Sequence, residues 1–190
     1  MKKDDHARVL DYLPKGKSEV PPHKRKPLVQ AVGDKYYSLL ELCPRDGAAF
    51  DLDERVYIGD DAREKVDHIE RRIKYEWLTP TAKSELPHVL KEVVESNEKE
   101  YLEFYNTAGT ISTRQHKLET LPKIGRRHRE DILRERESQP FVSFEDMRRR
   151  LTSIPDPVKV IVDKIVEEMK GESKYYMFTP VIEEPAYRRR

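Results

Sequence analysis

The stretch ETLPKIGRRHREDIL, residues 119–133, sets an apolar-Pro-Lys-apolar-Gly corner directly ahead of Arg126, Arg127, His128 and Arg129. A helix start exposes about four N–H groups that lack intrahelical acceptors and carries about half a positive charge. Cations clustered at that end are unfavourable unless an anion from outside joins them. Gly125 lets such an anion come close to the backbone, and the arginines add charge-assisted bonds from the side. Two roles fit the corner. It is either a phosphate seat made by Lys123, Gly125, Arg126, Arg127, His128 and Arg129, or a packing corner that also serves to dock protein.

Downstream of the corner, the apolar spacing predicts helices over about 125–138, 143–151 and 157–169, with a further helix over about 112–120 ahead of it. Ser143 is a good N-cap, and Pro157 suits a first helical position. The segment LTSIPDP, residues 151–157, forms a second corner without glycine and is expected to be structural. Upstream, Ser84 to Asn106 reads as one long amphipathic helix with Pro87 in its first turn. From Arg8 to Leu78, five short segments (ARVLDYL, PLVQAVG, KYYSLLELC, RVYIG and IERRIKYEWL) alternate with turn residues and predict five strands. Closing them into a small barrel removes exposed edges. A helix over DDAREKVDHIERR competes with the fifth strand. The expected organisation is α+β: an OB-like β-barrel over 1–80, a linking helix over 81–110, a tandem helix-hairpin-helix unit over 111–171 and a tail over 172–190. The apolar part of that tail is expected to dock on the body, and its three terminal arginines to be a frayed end.

The composition suits a very soluble chain that still folds, with 38% charged and 36% apolar residues and a mean hydropathy of −0.87. Few Asn and Gln and many paired charges match a heat-adapted composition. Cys43 is the sole cysteine, so no internal disulfide and no multi-cysteine zinc site is possible. No apolar run is long enough to span a membrane, and the start of the chain has no signal-peptide core, so a cytoplasmic protein without membrane contact is expected. The net charge of +1 conceals sorting. Residues 15–26 hold five cations against Glu19, residues 111–129 hold six against Glu119, and residues 84–106 hold six Glu against two Lys. Screening beyond about 8 Å lets such patches act locally on a polyanion.

Leu121-Pro122-Lys123-Ile124-Gly125 resembles the hairpin of the helix-hairpin-helix motif, which grips a nucleic-acid backbone without reading bases. Lys123 stands where the motif has its first glycine, and Arg129 where it has a small packing residue. ILRERESQPFVSFEDM resembles the connector between two such hairpins. The whole chain is similar to an archaeal family of uncharacterised, predicted RNA-binding proteins, the domain of unknown function 655, in which an OB-like barrel precedes a helix-hairpin-helix unit. That resemblance implies association with RNA rather than DNA and with the translation machinery; components of the ribosome or of transcription are the other expected partners.

In the barrel half, Tyr36, Tyr37, Tyr57, Tyr75 and Trp77 have the chemistry to stack on unpaired bases or to pack a core, with Tyr37 and Tyr57 taken as the contact residues. Lys24, Arg25 and Lys26 sit in a Pro-rich loop that either borders a binding groove or solubilises the surface. Among the histidines only His116 and His128 are expected to meet, which is too few for a metal site. Asp51, Asp53, Asp60 and Asp61 read as turn formers. No phosphate loop, dinucleotide fingerprint or nucleophile elbow is present. The sequence therefore predicts a non-catalytic nucleic-acid-binding protein without cofactor or metal. A protein-docking adaptor on the ribosome or transcription machinery is the second expectation, and an RNA-processing enzyme the third.

Overall fold

The structure, a computed structural model, describes residues 3–181. The arginines at 188–190 lie outside that range. Two compact units are present. One comprises the chain up to Leu86 together with the residues from Glu167 onward, and the other comprises Pro87–Val166.

The first unit is a curled five-stranded antiparallel sheet, and the chain as a whole is α+β, with helices following the sheet. Strands β1 (His6–Leu13), β2 (Leu28–Gly33), β3 (Leu39–Pro44), β4 (Arg55–Tyr57) and β5 (Val66–Arg72) pair in the order β4-β1-β2-β3-β5. Strand side chains alternate between faces. Ala7 and Val9, Val29 and Ala31, and Leu40 and Leu42 therefore fall on one side, where they form a buried apolar cluster with Phe50, Val56, Ile58 and Val66. Bulges lie in the β1–β2 pairing and twice in the β3–β5 pairing; such bulges bend strands. The two outermost strands share no ladder among the described residues, so the curl stops at a half-barrel. The fifth strand begins at Val66, where the competing helix was weighed, and it ends before Tyr75–Trp77, which forms a 3-10 turn.

The other face carries Gln30 and Glu41, both buried. Gln30 Nε2 donates to Glu41 Oε1 at 3.2 Å and to the Trp77 carbonyl at 3.0 Å, while Gln30 Oε1 accepts from the Thr79 N–H at 2.8 Å. Lys17 Nζ and Arg71 Nε reach the Glu41 carboxylate at 2.5 and 2.7 Å. Burial alone pushes the Glu41 carboxyl up, but the bonds from Lys17, Arg71 and Gln30 outweigh it and hold the group below its ordinary value.

The β2–β3 turn is fixed from outside the sheet. Asp4 Oδ1 accepts from the Lys35 and Tyr36 amides at 3.0 and 2.7 Å, and its carboxylate lies so close over Gly33 that any side chain there would overlap it. Tyr37 then takes a left-handed φ of 56° and points inward. In the same unit Glu168, fully buried, accepts from the amides of Met177, Phe178 and Thr179 at 2.6, 3.0 and 2.8 Å. The tail is thus held through its backbone.

The helix that follows the sheet starts earlier than Ser84. Helix α1 (Pro80–Ser96) has Pro80 at its first position, and Thr79 Oγ1 accepts from the Ala82 N–H at 3.0 Å as a cap, which leaves Pro87 in the helix interior. The boundary between the two units falls at that proline.

In the second unit the expected single helix is broken. Asn97, at φ −107° and ψ 31°, separates α1 from α2 (Glu98–Thr107), and its side chain donates to the Val93 carbonyl at 2.8 Å. Instead of a helix over 112–120, a two-stranded ladder of β6 (Thr110–Ser112) and β7 (Gln115–His116) leads into a 3-10 turn over Lys117–Thr120. The β-branched Thr110, Ile111 and Thr113 disfavour helix, and Pro122 limits the run beyond. Helices α3 (Arg126–Ser138), α4 (Phe144–Arg150) and α5 (Pro157–Met169) form where periodicity placed them. Ile132, Phe144, Met147 and Ile161 on these helices are buried, as is Leu118 in the preceding turn. Tyr105 donates to the Pro157 carbonyl at 3.1 Å, and Arg136 closes the end of α2 by donating to the carbonyls of Tyr105 and Ala108 at 3.0 and 2.8 Å.

Candidate nucleic-acid interface

The corner before α3 is a tight turn. The Ile124 N–H donates to the Leu121 carbonyl at 3.2 Å, with Pro122 and Lys123 as the central residues. Lys123 has a φ of 63°. A turn with proline second and positive φ third favours glycine in that place, and a non-glycine residue there costs about 1 kcal/mol. The lysine is therefore held in the backbone state that the motif's glycine adopts freely. Its Nζ, mostly exposed, lies 3.7 Å from Asp163.

Gly125 is the N-cap of α3 with φ −94° and ψ −175°, extended backbone that any residue adopts. A Cβ built on it meets nothing within 4 Å. Neither backbone conformation nor internal packing calls for glycine, so what the missing side chain leaves is open approach to the amides that follow. Among the described residues no side chain caps this helix, and its first turn holds no acidic residue.

The cations around the corner separate into two kinds. Arg126 and Arg127 are exposed. Arg126 Nε donates to Glu130 Oε1 one turn along at 3.1 Å, a surface pair of the kind worth little. Arg129, by contrast, is tied down: it donates to Glu119 at 3.0 Å and to Glu130 at 3.3 Å and is only 23% exposed. Glu119 in turn belongs to a capping box with His116, whose Nδ1 accepts from the Leu118 N–H. Desolvation, followed by the charges of Arg136 and Arg129, keeps His116 below the ordinary imidazole value. Arg129 thus braces α3 against the preceding turn. His128 is also engaged, with Nδ1 2.9 Å from the Lys123 carbonyl, so it stiffens the corner. His116 and His128 are each occupied by backbone.

The remaining predicted residues lie in the first unit. Arg25 pins its own loop by donating to the carbonyls of Val20 and Ser18 at 2.7 and 2.8 Å, whereas Lys24 and Lys26 are exposed. Together with Lys17, Glu41 and Arg71 they line a cleft of about 170 Å³. Tyr37 is buried, with 6% of its surface accessible, and so offers no face to a ligand. Tyr57 packs edge-on to His6, and its hydroxyl donates to Asp61 Oδ2 and accepts from the Asp61 N–H. The aromatic that does face out is Trp77, half exposed, with the Arg71 guanidinium 5.2 Å from its ring centroid. Its chemical type was visible in the sequence, but its exposure follows from the 3-10 turn that replaces the end of the expected fifth strand. Asp53 holds Arg8 through two bonds at 2.7 and 2.5 Å from a left-handed turn position, as a turn former does.

Residues 3–180 match the family model described as "Protein of unknown function (DUF655)". The chain is similar to the uncharacterised protein MJ0038 of Methanocaldococcus jannaschii, with 42% identity over 177 residues, 92% of this chain and 79% of that protein. It is also similar to the crystal structure of Af1531 from Archaeoglobus fulgidus, with a TM-score of 0.88 and 43% identity over 93% of this chain and 100% of that one. No helix among the described residues is long and apolar enough to cross a membrane.

Proposed function

The chain belongs to the DUF655 family, and from that premise and the corner before α3 we propose that it is a non-catalytic, cytoplasmic nucleic-acid-binding protein that prefers RNA to DNA. In this proposal residues 111–171 act as a helix-hairpin-helix unit that grips backbone phosphates, and the curled sheet acts as an OB-like surface for unpaired bases. The observation that carries it is the uncapped start of α3: amides of residues 126–128 below an open Gly125, flanked by exposed Arg126, Arg127 and Lys123. A phosphate there gains backbone donors, the helix dipole and flexible cations together. In the turn that follows the sheet, Trp77 with the Arg71 guanidinium against its ring is the base platform, with Lys24 and Lys26 supplying backbone charge. Translation is the cellular setting this role fits, with RNA as the partner.

The test is binding of labelled single-stranded RNA across a salt series. Each phosphate contact contributes a slope of about −0.7 in log affinity against log salt for single strands. Arg126→Glu with Arg127→Glu is expected to lower affinity for every sequence alike and to flatten that slope by about 1.4. An unchanged slope with full affinity would remove the phosphate role. A docking adaptor finds support in Val142, 70% exposed within the α3–α4 connection. An adaptor binds its partner after nuclease treatment and shows little affinity for free RNA.

A further inference from the structure

Strand β5 is bulged twice against β3. The register pairs Glu41 with Arg71 and then Leu42 with Ile69, leaving Glu70 without a partner; it pairs Cys43 with His68 and then Pro44 with Val66, leaving Asp67 without one. In a regular strand Asp67 and His68 would face opposite sides. A bulge re-aims the extra residue, and here it brings Asp67 Oδ2 to 2.7 Å from His68 Nδ1. Glu70, two residues along, places Oε2 3.0 Å from the other ring nitrogen, Nε2. Cys43 stands directly across the ladder from His68, so both side chains share a face. The ligand atoms of Cys43, Asp67 and His68 all lie within 4.8 Å of one another.

We propose that these three residues form a binding site for a borderline-soft divalent cation, zinc being the best match, through Cys43 Sγ, one Asp67 oxygen and His68 Nδ1, with water in the fourth position. Tetrahedral zinc with ligand bonds of about 2.0–2.3 Å needs donors separated by about 3.3–3.6 Å. To reach that spacing Asp67 Oδ2 and His68 Nδ1, now 2.7 Å apart, move apart, and Cys43 Sγ closes in from within 4.8 Å. A mixed sulfur, nitrogen and oxygen set selects zinc or its neighbours over magnesium and calcium, which require oxygen throughout. Glu70 completes the arrangement from outside. By accepting the Nε2 proton it fixes the tautomer that frees Nδ1 for the metal, the usual carboxylate–histidine–zinc relation. Access is open, because Cys43 and Glu70 line the same cleft as Lys24 and Lys26, and Asp67 and His68 are more than half exposed. This site does not depend on the nucleic-acid proposal.

The test is titration of the full chain with cobalt(II) as a spectroscopic substitute for zinc. Expected are a thiolate-to-cobalt charge-transfer band and intense tetrahedral visible bands, saturating at a single ion per chain and bleached by zinc. Cys43→Ser removes the charge-transfer band, while His68→Ala and Asp67→Ala each weaken binding by at least tenfold and Glu70→Gln by about tenfold, the scale of an outer-sphere partner. The unmodified chain gives a second measurement that needs no variant: zinc slows alkylation of Cys43, read by mass. Absence of cobalt bands at millimolar metal, bands that survive Cys43→Ser, or alkylation at the same rate with and without zinc would each overturn the assignment.

Discussion

The two corners of the second unit, residues 121–125 and 151–157, differ in how the helix start that follows is balanced in charge. Before α5, the Asp156 carboxylate accepts from the Lys159 N–H at 3.0 Å and from Arg148 Nε at 2.5 Å. Before α4, Ser143 Oγ accepts from the Asp146 N–H, with Glu145 and Asp146 in the first turn. Both helix starts thus contain their own acceptor. The start of α3 has none among the described residues and carries two exposed arginines in its place. The difference teaches that α3 leaves open at its start what α4 and α5 fill with side chains of their own.

The arginines sharpen the contrast most. Arg150, 14% exposed, donates to Glu135, to the carbonyls of Glu135 and Gln139 and to Asp146, and lies over the Phe141 ring at 4.6 Å. Arg150→Ala leaves the buried Asp146 with Arg149 alone of its two arginine partners, 2.7 Å away, removes the bonds to Glu135 and Gln139 as well, and is expected to cost about 3 kcal/mol in denaturant unfolding. Arg127→Ala, at the other corner, should leave the unfolding midpoint where it is and reduce only RNA affinity. Equal losses of stability from the two substitutions would erase the distinction.

Next in size is Asp156→Ala, which removes the plug of the second corner. A loss of about 1 kcal/mol is expected, the typical value of an N-cap, with RNA affinity unaffected. Acid tests the same groups together. Burial pushes both Asp146 and Asp156 up, but their arginine partners and backbone donors prevail, so each carboxyl lies below its ordinary value in the fold. Groups depressed on folding contribute stability that is whole above the unfolded value of about 3.9 and drains away as pH falls through the folded values. Unfolding free energies measured from neutral pH downward should therefore decline below about pH 4, and less steeply in Asp146→Asn and Asp156→Asn. The smallest effect belongs to Lys123→Gly: release of the left-handed strain, offset by chain entropy, is expected to raise stability by about 0.5 kcal/mol in thermal unfolding.

How far all this was legible in the sequence varies residue by residue. The strands were readable because short apolar segments alternate with turn residues, although the fifth, expected over 69–78, lies at Val66–Arg72, and α3 to α5 were readable because apolar spacing and corner residues agreed. What escaped depends on contacts between distant residues. Thr79 caps α1 ahead of its apolar stripe, and Asn97 breaks a pattern that stays periodic on both sides. Tyr37 turns inward because Asp4 holds the turn before it. At the site, the corner itself was plain in Pro122 and Gly125. That Arg129 would be claimed by Glu119 while Arg127 stayed exposed was not, since both are arginines in one short run. The Cys43–His68 pairing was hidden further, behind two bulges that no local signal announces.

The central claim is that an external oxyanion fills the place that Asp156 fills at the second corner. Gly125→Asp tests it most directly, because the site has room for the side chain and a backbone that accepts it. With its own carboxylate over the first turn, α3 should gain a few tenths of a kcal/mol in unfolding free energy, while RNA affinity at low salt falls at least tenfold. A Gly125→Asp chain that binds RNA as tightly as the original, over the same salt series, would contradict the account.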